Sequence, residues 1–105
     1  MILKNLFKQT DINQGVEEYL ATPGAVLLDV RTPGEYREGH IPGSVNVPLQ
    51  TLDNVEEVAE ENTPLFVYCR SGNRSRQAVA MLKQMGYTQA TNIGGIADYA
   101  GKVEK

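Results

Sequence analysis

The stretch Leu65-Phe66-Val67-Tyr68-Cys69-Arg70-Ser71-Gly72-Asn73-Arg74-Ser75 decides how this chain is read. Its first four residues form a short apolar run of strand length, and Cys69 ends it. A polar loop with two arginines and a glycine follows. Ala78, Met81, Leu82 and Met85 then recur at helical spacing, so a helix starts directly behind the loop. A strand, a tight loop and a helix N-terminus bring backbone N–H groups and positive charge around the chain's one cysteine sulfur. That environment turns a thiol into a thiolate near neutral pH.

Working outward, Ala25-Val26-Leu27-Leu28-Asp29-Val30 is nearly all apolar and reads as a strand buried on both faces, the pattern of a parallel sheet. Residues 2–7, 44–47 and 90–93 supply further short strands. Between them the periodicity turns helical. Asp11 caps a helix carrying Ile12, Val16, Tyr19 and Leu20 on one face, which Thr22-Pro23-Gly24 breaks. Thr32-Pro33-Gly34-Glu35 has the form of a capping box with proline at the first helical position. Residues 48–52 suit a turn of helix. Asp53 and Glu56 repeat the capping-box spacing and open another helix with Val55, Val58 and Ala59 inward, ended by Thr63-Pro64. Gly86 suits the position after the Cys-loop helix, with Tyr87 packing back over the last turn and the methionines in the core. Gly94-Gly95 turns the last strand into a short C-terminal helix.

Strands alternating with helices predict one α/β domain over residues 1–105, with a mainly parallel sheet and helices on both faces. Ligands in such sheets bind at the carboxyl ends of strands, where Cys69 stands. At 105 residues and 41% hydrophobic content the chain supports a single core. A net charge of -3 argues against general nucleic-acid or membrane-surface binding. Asp53, Glu56, Glu57, Glu60 and Glu61 read as a solvated helix face. One cysteine excludes an internal disulfide, and one cysteine with one histidine leaves no zinc set, so neither metal nor cofactor is expected. No apolar stretch reaches membrane-spanning length and the start lacks signal-peptide features, so a cytoplasmic protein is expected.

The loop carries the chemistry. If Cys69 through Arg74 curl around the sulfur, several N–H groups form an anion-binding nest. Gly72 allows a positive φ there and Asn73 tolerates one. Arg70 and Arg74 are permanently charged, so they stabilise an anion but cannot act as bases. Each unit of thiol pKa depression favours the anion by about 1.4 kcal/mol. A few such units ionise Cys69 at pH 7 without a histidine partner, and His40, the only one, is far away in sequence. A lone cysteine at a strand end is ordinarily a small buried hydrophobe; two arginines, a glycine and a helix start directly behind it are hard to explain as packing.

These residues fall into an ordered set: Leu27-Leu28-Asp29-Val30-Arg31; Glu35-Tyr36; Gly39-His40-Ile41-Pro42-Gly43-Ser44-Val45-Asn46-Val47-Pro48; Cys69 through Ser75; and Gly94-Gly95. Over nearly its whole length the chain resembles a single-domain rhodanese, a thiosulfate:thiol or thiosulfate:cyanide sulfurtransferase. The resemblance implies a three-layer α/β/α fold with a five-stranded parallel sheet. It implies a Cys69 persulfide as covalent intermediate, loaded from thiosulfate or a persulfide donor and unloaded to cyanide, a small thiol or a thioredoxin-like acceptor. The N–H groups of Arg70, Ser71, Gly72, Asn73 and Arg74 would hold the persulfide, Arg70 and Arg74 would orient an anionic donor, and Ser71 and Ser75 would add hydroxyls. Asp29 and Arg31, expensive at the end of a buried strand unless paired, are expected to fix neighbouring loops. His40 is expected to make a structural hydrogen bond. Family members often carry Trp shortly after the Gly-Gly pair; here Tyr99 stands near that place.

Two rival readings stand beside this one. A cysteine phosphatase or arsenate reductase also cradles an anion, but four residues separate Cys69 from Arg74, one fewer than in a phosphatase loop, and no general acid is evident beside it. A non-enzymatic or weakly active persulfide carrier or interaction module would keep the same fold and cysteine.

Overall fold

The computed structural model describes residues 11–105, so the strand expected over residues 2–7 lies outside the described residues. In chain order the elements are α1 (Ile12–Ala21), β1 (Val26–Asp29), α2 (Pro33–Glu38), β2 (Val45–Asn46), a 3-10 segment (Leu49–Glu57), β3 (Leu65–Cys69), α3 (Asn73–Gln84), β4 (Ala90–Gly95) and a final 3-10 turn (Ile96–Asp98). Among the described residues the sheet has four strands rather than five, in the order β2-β1-β3-β4, every pair parallel.

Strand alternation sorts the core into two layers. Leu27, Phe66 and Tyr68 pack with Ile12 and Val16 of α1, with Ile41 and with Ile93. Leu28, Leu65, Val67 and Cys69 face the other way, toward Ala78 and Leu82 of α3 and Leu52 and Val55 of the 3-10 segment. All five residues of β3 are buried, as a central strand requires. The same register puts Cys69 on the α3 face, four residues before that helix begins.

Local signals hold at several ends. The Asp11 carboxylate accepts from the amides of Asn13 and Gln14. Thr32 and Glu35 form the capping box. Tyr87 is buried and its amide reaches back to the Leu82 carbonyl.

Three expectations need correction. Leu20 is 75% exposed, because the row of every fourth residue drifts about 40° around a helix at each step. Met81 is exposed as well; the buried stripe of α3 runs through Ser75, Ala78 and Leu82, with Met85 only partly covered. The α-helix expected from Asp53 to Thr63 is instead a kinked 3-10 segment that starts at Leu49 and ends at Glu57. Leu49, Leu52, Val55 and Val58 recur every third residue and all meet the core, and a helix with three residues per turn is the one that stacks them on a single edge.

Candidate active site

The loop from Cys69 to α3 is a tight backbone curl. Gly72 is the helix N-cap, at φ 104° in the left-handed region that a side chain would disfavour, and this reverses the chain over the sulfur. The Gly72 N–H donates to Cys69 Sγ at 3.0 Å and the Ser75 N–H at 3.4 Å, and the Ser75 hydroxyl oxygen lies 3.4 Å from the sulfur. Cys69 is only 1% exposed, yet its sulfur meets polar hydrogens. Burial pushes the thiol up. The Ser75 hydroxyl, then the amides of Ser75, Gly72 and Ser71, pull it down further, so its pKa sits below the ordinary thiol value.

The far wall of the curl is β4. A methyl group at Gly95 would lie 2.1 Å from the Arg70 carbonyl oxygen and 2.6 Å from Ser71 Cα, so only glycine lets the strand run beneath the loop. A bulge shifts the register here: Val67 is opposite Asn92, but Tyr68 is opposite Gly94. The Asn92 side chain takes up the slack. Its Oδ1 accepts from the Gly94 N–H (3.0 Å) and the Ser75 hydroxyl (2.7 Å), and its Nδ2 donates to the Gly72 carbonyl (3.3 Å).

The near wall is built from β1 and α2. Asp29 is fully buried and is paired with Arg31, whose Nε reaches both carboxylate oxygens at 3.0 Å and whose Nη2 reaches one at 2.6 Å. Nη2 also donates to the Gly39 carbonyl at 2.7 Å. Burial lowers the Arg31 pKa, and the Asp29 carboxylate raises it by more, so the guanidinium stays charged. Glu35 keeps its capping bond to the Thr32 amide and at the same time grips Arg74 bidentately, at 2.7 and 3.0 Å. That guanidinium, against the opposing effect of burial and with help from the Thr32 amide, pulls the Glu35 carboxyl down to about 2. A cleft of about 330 Å³ opens between the walls, lined in part by Arg31, Glu35, Arg70 and Ala97. A separate hollow of about 230 Å³ lies against Ser71, Gly72, Asn73, Asn92 and Asp98.

A buried cysteine wrapped by amides at the end of a parallel strand, behind an Asp-Val-Arg corner, is matched over residues 13–102 by the model of the rhodanese-like domain. The chain belongs to the rhodanese-like domain family. It is 39% identical over 75 residues to thiosulfate sulfurtransferase PspE of Escherichia coli (strain K12), covering 70% of this chain and 72% of that protein. It is 38% identical over 80 residues to a sulfurtransferase of Allochromatium vinosum, covering 75% of each. The solved structure of a rhodanese with anions from E. coli superposes at a TM-score of 0.71 and 36% identity, covering 77% of this chain and 98% of that one.

Within this rhodanese-like loop the residues singled out from sequence do not all converge on the sulfur. Gly72 and Ser75 touch it. Arg70 is exposed and lines the cleft. Ser71 and Asn73 line the separate hollow. Arg74 is turned to Glu35, and hydrogen bonds rather than arginine charge lead the depression of the thiol. Asp29 holds Arg31, and Arg31 reaches the Gly39 carbonyl. His40 Nδ1 sits 2.8 Å from the Tyr36 carbonyl and its ring stacks on Tyr36. Tyr99 packs against the α1-side core. Sequence reading missed Asn92, which carries no motif of its own, and the second partner of Glu35. For Asn92 the one available signal is a polar residue two positions before Gly94 in an otherwise buried strand end.

Proposed function

We propose that this rhodanese-like sulfurtransferase takes the outer sulfur of thiosulfate or of a persulfide donor onto Cys69 and passes it to cyanide or a thiol. The observation that carries the reading is the Gly72 N–H aimed at a nearly enclosed Sγ from 3.0 Å, an arrangement that favours the anion. The Cys69 thiolate attacks the outer sulfur of thiosulfate. An Sγ–S bond forms, the S–S bond of thiosulfate breaks, and sulfite leaves with the electron pair. Cyanide then attacks the terminal sulfur through carbon and leaves as thiocyanate, and Sγ departs as thiolate. A thiolate acceptor becomes a persulfide by the same displacement. Neither half requires a general base once Cys69 is ionised, in keeping with a His40 occupied by Tyr36. Arg70, exposed at the cleft, is the residue proposed to draw the anionic donor in, and an enclosed sulfur favours slim donors.

Support for thiosulfate as donor comes from the relative named for that activity. Intact-protein mass spectrometry tests it: thiosulfate should add one sulfur atom, cyanide should remove it, and Cys69→Ser should never acquire it while remaining folded. No added mass on the wild-type protein would overturn the thiosulfate reading. A para-nitrophenyl phosphate assay on the same sample should show no hydrolysis; turnover there would favour the phosphatase alternative.

A further inference from the structure

We infer that Asn92 is a positioning residue that governs which way the Ser75 hydroxyl proton points, and through it how readily the Cys69 sulfur ionises. The argument is a count of protons. Ser75 Oγ is fully buried and has three acceptors within reach: Asn92 Oδ1 at 2.7 Å, the Gly72 carbonyl at 3.1 Å and Cys69 Sγ at 3.4 Å. It has one hydrogen to give. The orientation of the Asn92 amide is fixed by backbone partners that allow no choice. The Gly94 N–H needs an acceptor, and a flipped amide would set its oxygen against the Gly72 carbonyl oxygen, which already takes the Arg76 N–H, so Oδ1 faces Ser75 and can only accept.

In the thiol state the shortest bond takes the hydroxyl proton to Asn92, and a lone pair of Ser75 faces the Cys69 S–H. Ionisation reverses this. The thiol proton leaves to solvent, Ser75 keeps its own, and its hydroxyl swings from Asn92 to the sulfide. Asn92 Oδ1 retains the Gly94 N–H, so the swing leaves no buried acceptor bare. When a sulfur is loaded, the negative charge moves to the terminal atom, Sγ becomes neutral, and the hydroxyl returns to Asn92. The side chain in the β4 bulge thus opposes thiolate formation and favours the loaded state. This last step rests on the proposed sulfur transfer; the ionisation step does not.

The other charged groups around the sulfur are Arg70 and Arg74 of the loop, Glu35 of α2 bonded to Arg74, the Asp29–Arg31 pair of β1, and Asp98 beside the hollow. None is altered by the test. Asn92→Ser keeps a short acceptor for the Gly94 N–H but is too short to compete for Ser75. Iodoacetamide alkylation against pH should show the Cys69 midpoint moving down. Below it the thiolate fraction should rise about three-fold, the worth of one modest hydrogen bond. The same change in a Ser75→Ala background should have no effect, because no hydroxyl remains to be released. A purely structural Asn92 would shift both backgrounds alike, and that result overturns the inference. An upward shift in the single variant does so too. A measurement on the unsubstituted side chain covers the case in which Asn92→Ser fails to fold. The ¹³Cγ resonance of Asn92 should titrate with Cys69 in wild type and lose most of that response in Ser75→Ala; equal amplitudes would refute the switch. Alkylation needs no sulfur donor, so a protein that proves inert to thiosulfate would leave the Asn92 result standing.

Discussion

Two arginine–carboxylate pairs flank the cysteine loop, and they differ in kind. Asp29–Arg31 is local in sequence and closed to solvent, with side chains 0% and 7% exposed, and it is finished by a bond to the Gly39 carbonyl. Glu35–Arg74 joins residues 39 apart in sequence, and its side chains are 28% and 32% exposed. A buried pair cannot lose one member cheaply, because the survivor keeps its charge without its partner. An open pair is screened and replaceable by water. The first therefore belongs to the architecture of the near wall. The second is an adjustable clasp between α2 and the loop.

The largest expected effect tests the closed pair. Asp29→Ala leaves Arg31 charged in a dry site and should cost about 3–5 kcal/mol, read from the urea unfolding midpoint. A loss below about 1 kcal/mol, the range of exposed pairs, would put the two pairs in one class and erase the distinction. Arg74→Ala comes next and acts on chemistry. It should move the alkylation midpoint of Cys69 to higher pH, by less than Ser75→Ala does, since hydrogen bonds lead the depression of that thiol; an unmoved curve removes Arg74 from the electrostatics of the sulfur. The mildest is Glu35→Gln. Stability should change by about 0–1 kcal/mol. Removing one negative charge from the cleft should lower the KM for dianionic thiosulfate roughly two- to five-fold, an effect that fades with added salt.

The open pair also has a pH signature. The Glu35 carboxyl lies at about 2 in the folded protein against an ordinary 4.5. Its contribution to stability is therefore fully present above 4.5 and is lost as pH falls toward 2. Acid unfolding of Glu35→Gln should lack that component, so wild type and variant should converge at the acid end of the window. Curves that stay parallel throughout would show that the clasp carries no linkage.

Much of the architecture was legible because it is written in local patterns. Short continuous apolar runs mark the core strands, and Thr32-Pro33-Gly34-Glu35 announces a helix start that the structure reproduces with both capping bonds. The capping-box spacing of Asp53 and Glu56 points to a helix start at Asp53, whereas Leu49, Leu52, Val55 and Val58 only make sense as one run that begins earlier. In the loop, Cys69 and Gly72 follow from the chemistry a thiolate needs. The charge of Arg74 is plain in the sequence, but nothing there says that a residue 39 positions earlier will pair with it. Asn92 leaves only a faint signal for the same reason: its contacts depend on a strand bulge and on a hydroxyl from α3. Side chains that act through tertiary partners leave no spacing to read.

Gly95 has a consequence for how this scaffold can change. With the Arg70 carbonyl 2.1 Å from where a Cβ would stand, a saturation library across β4 would return an empty column at that position. Drift and directed evolution alike are steered away from the strand beneath the cysteine loop and toward the residues around it. New specificities in this protein must be written at neighbours such as Arg70, Asn73 or Glu35, over a base that stays the same.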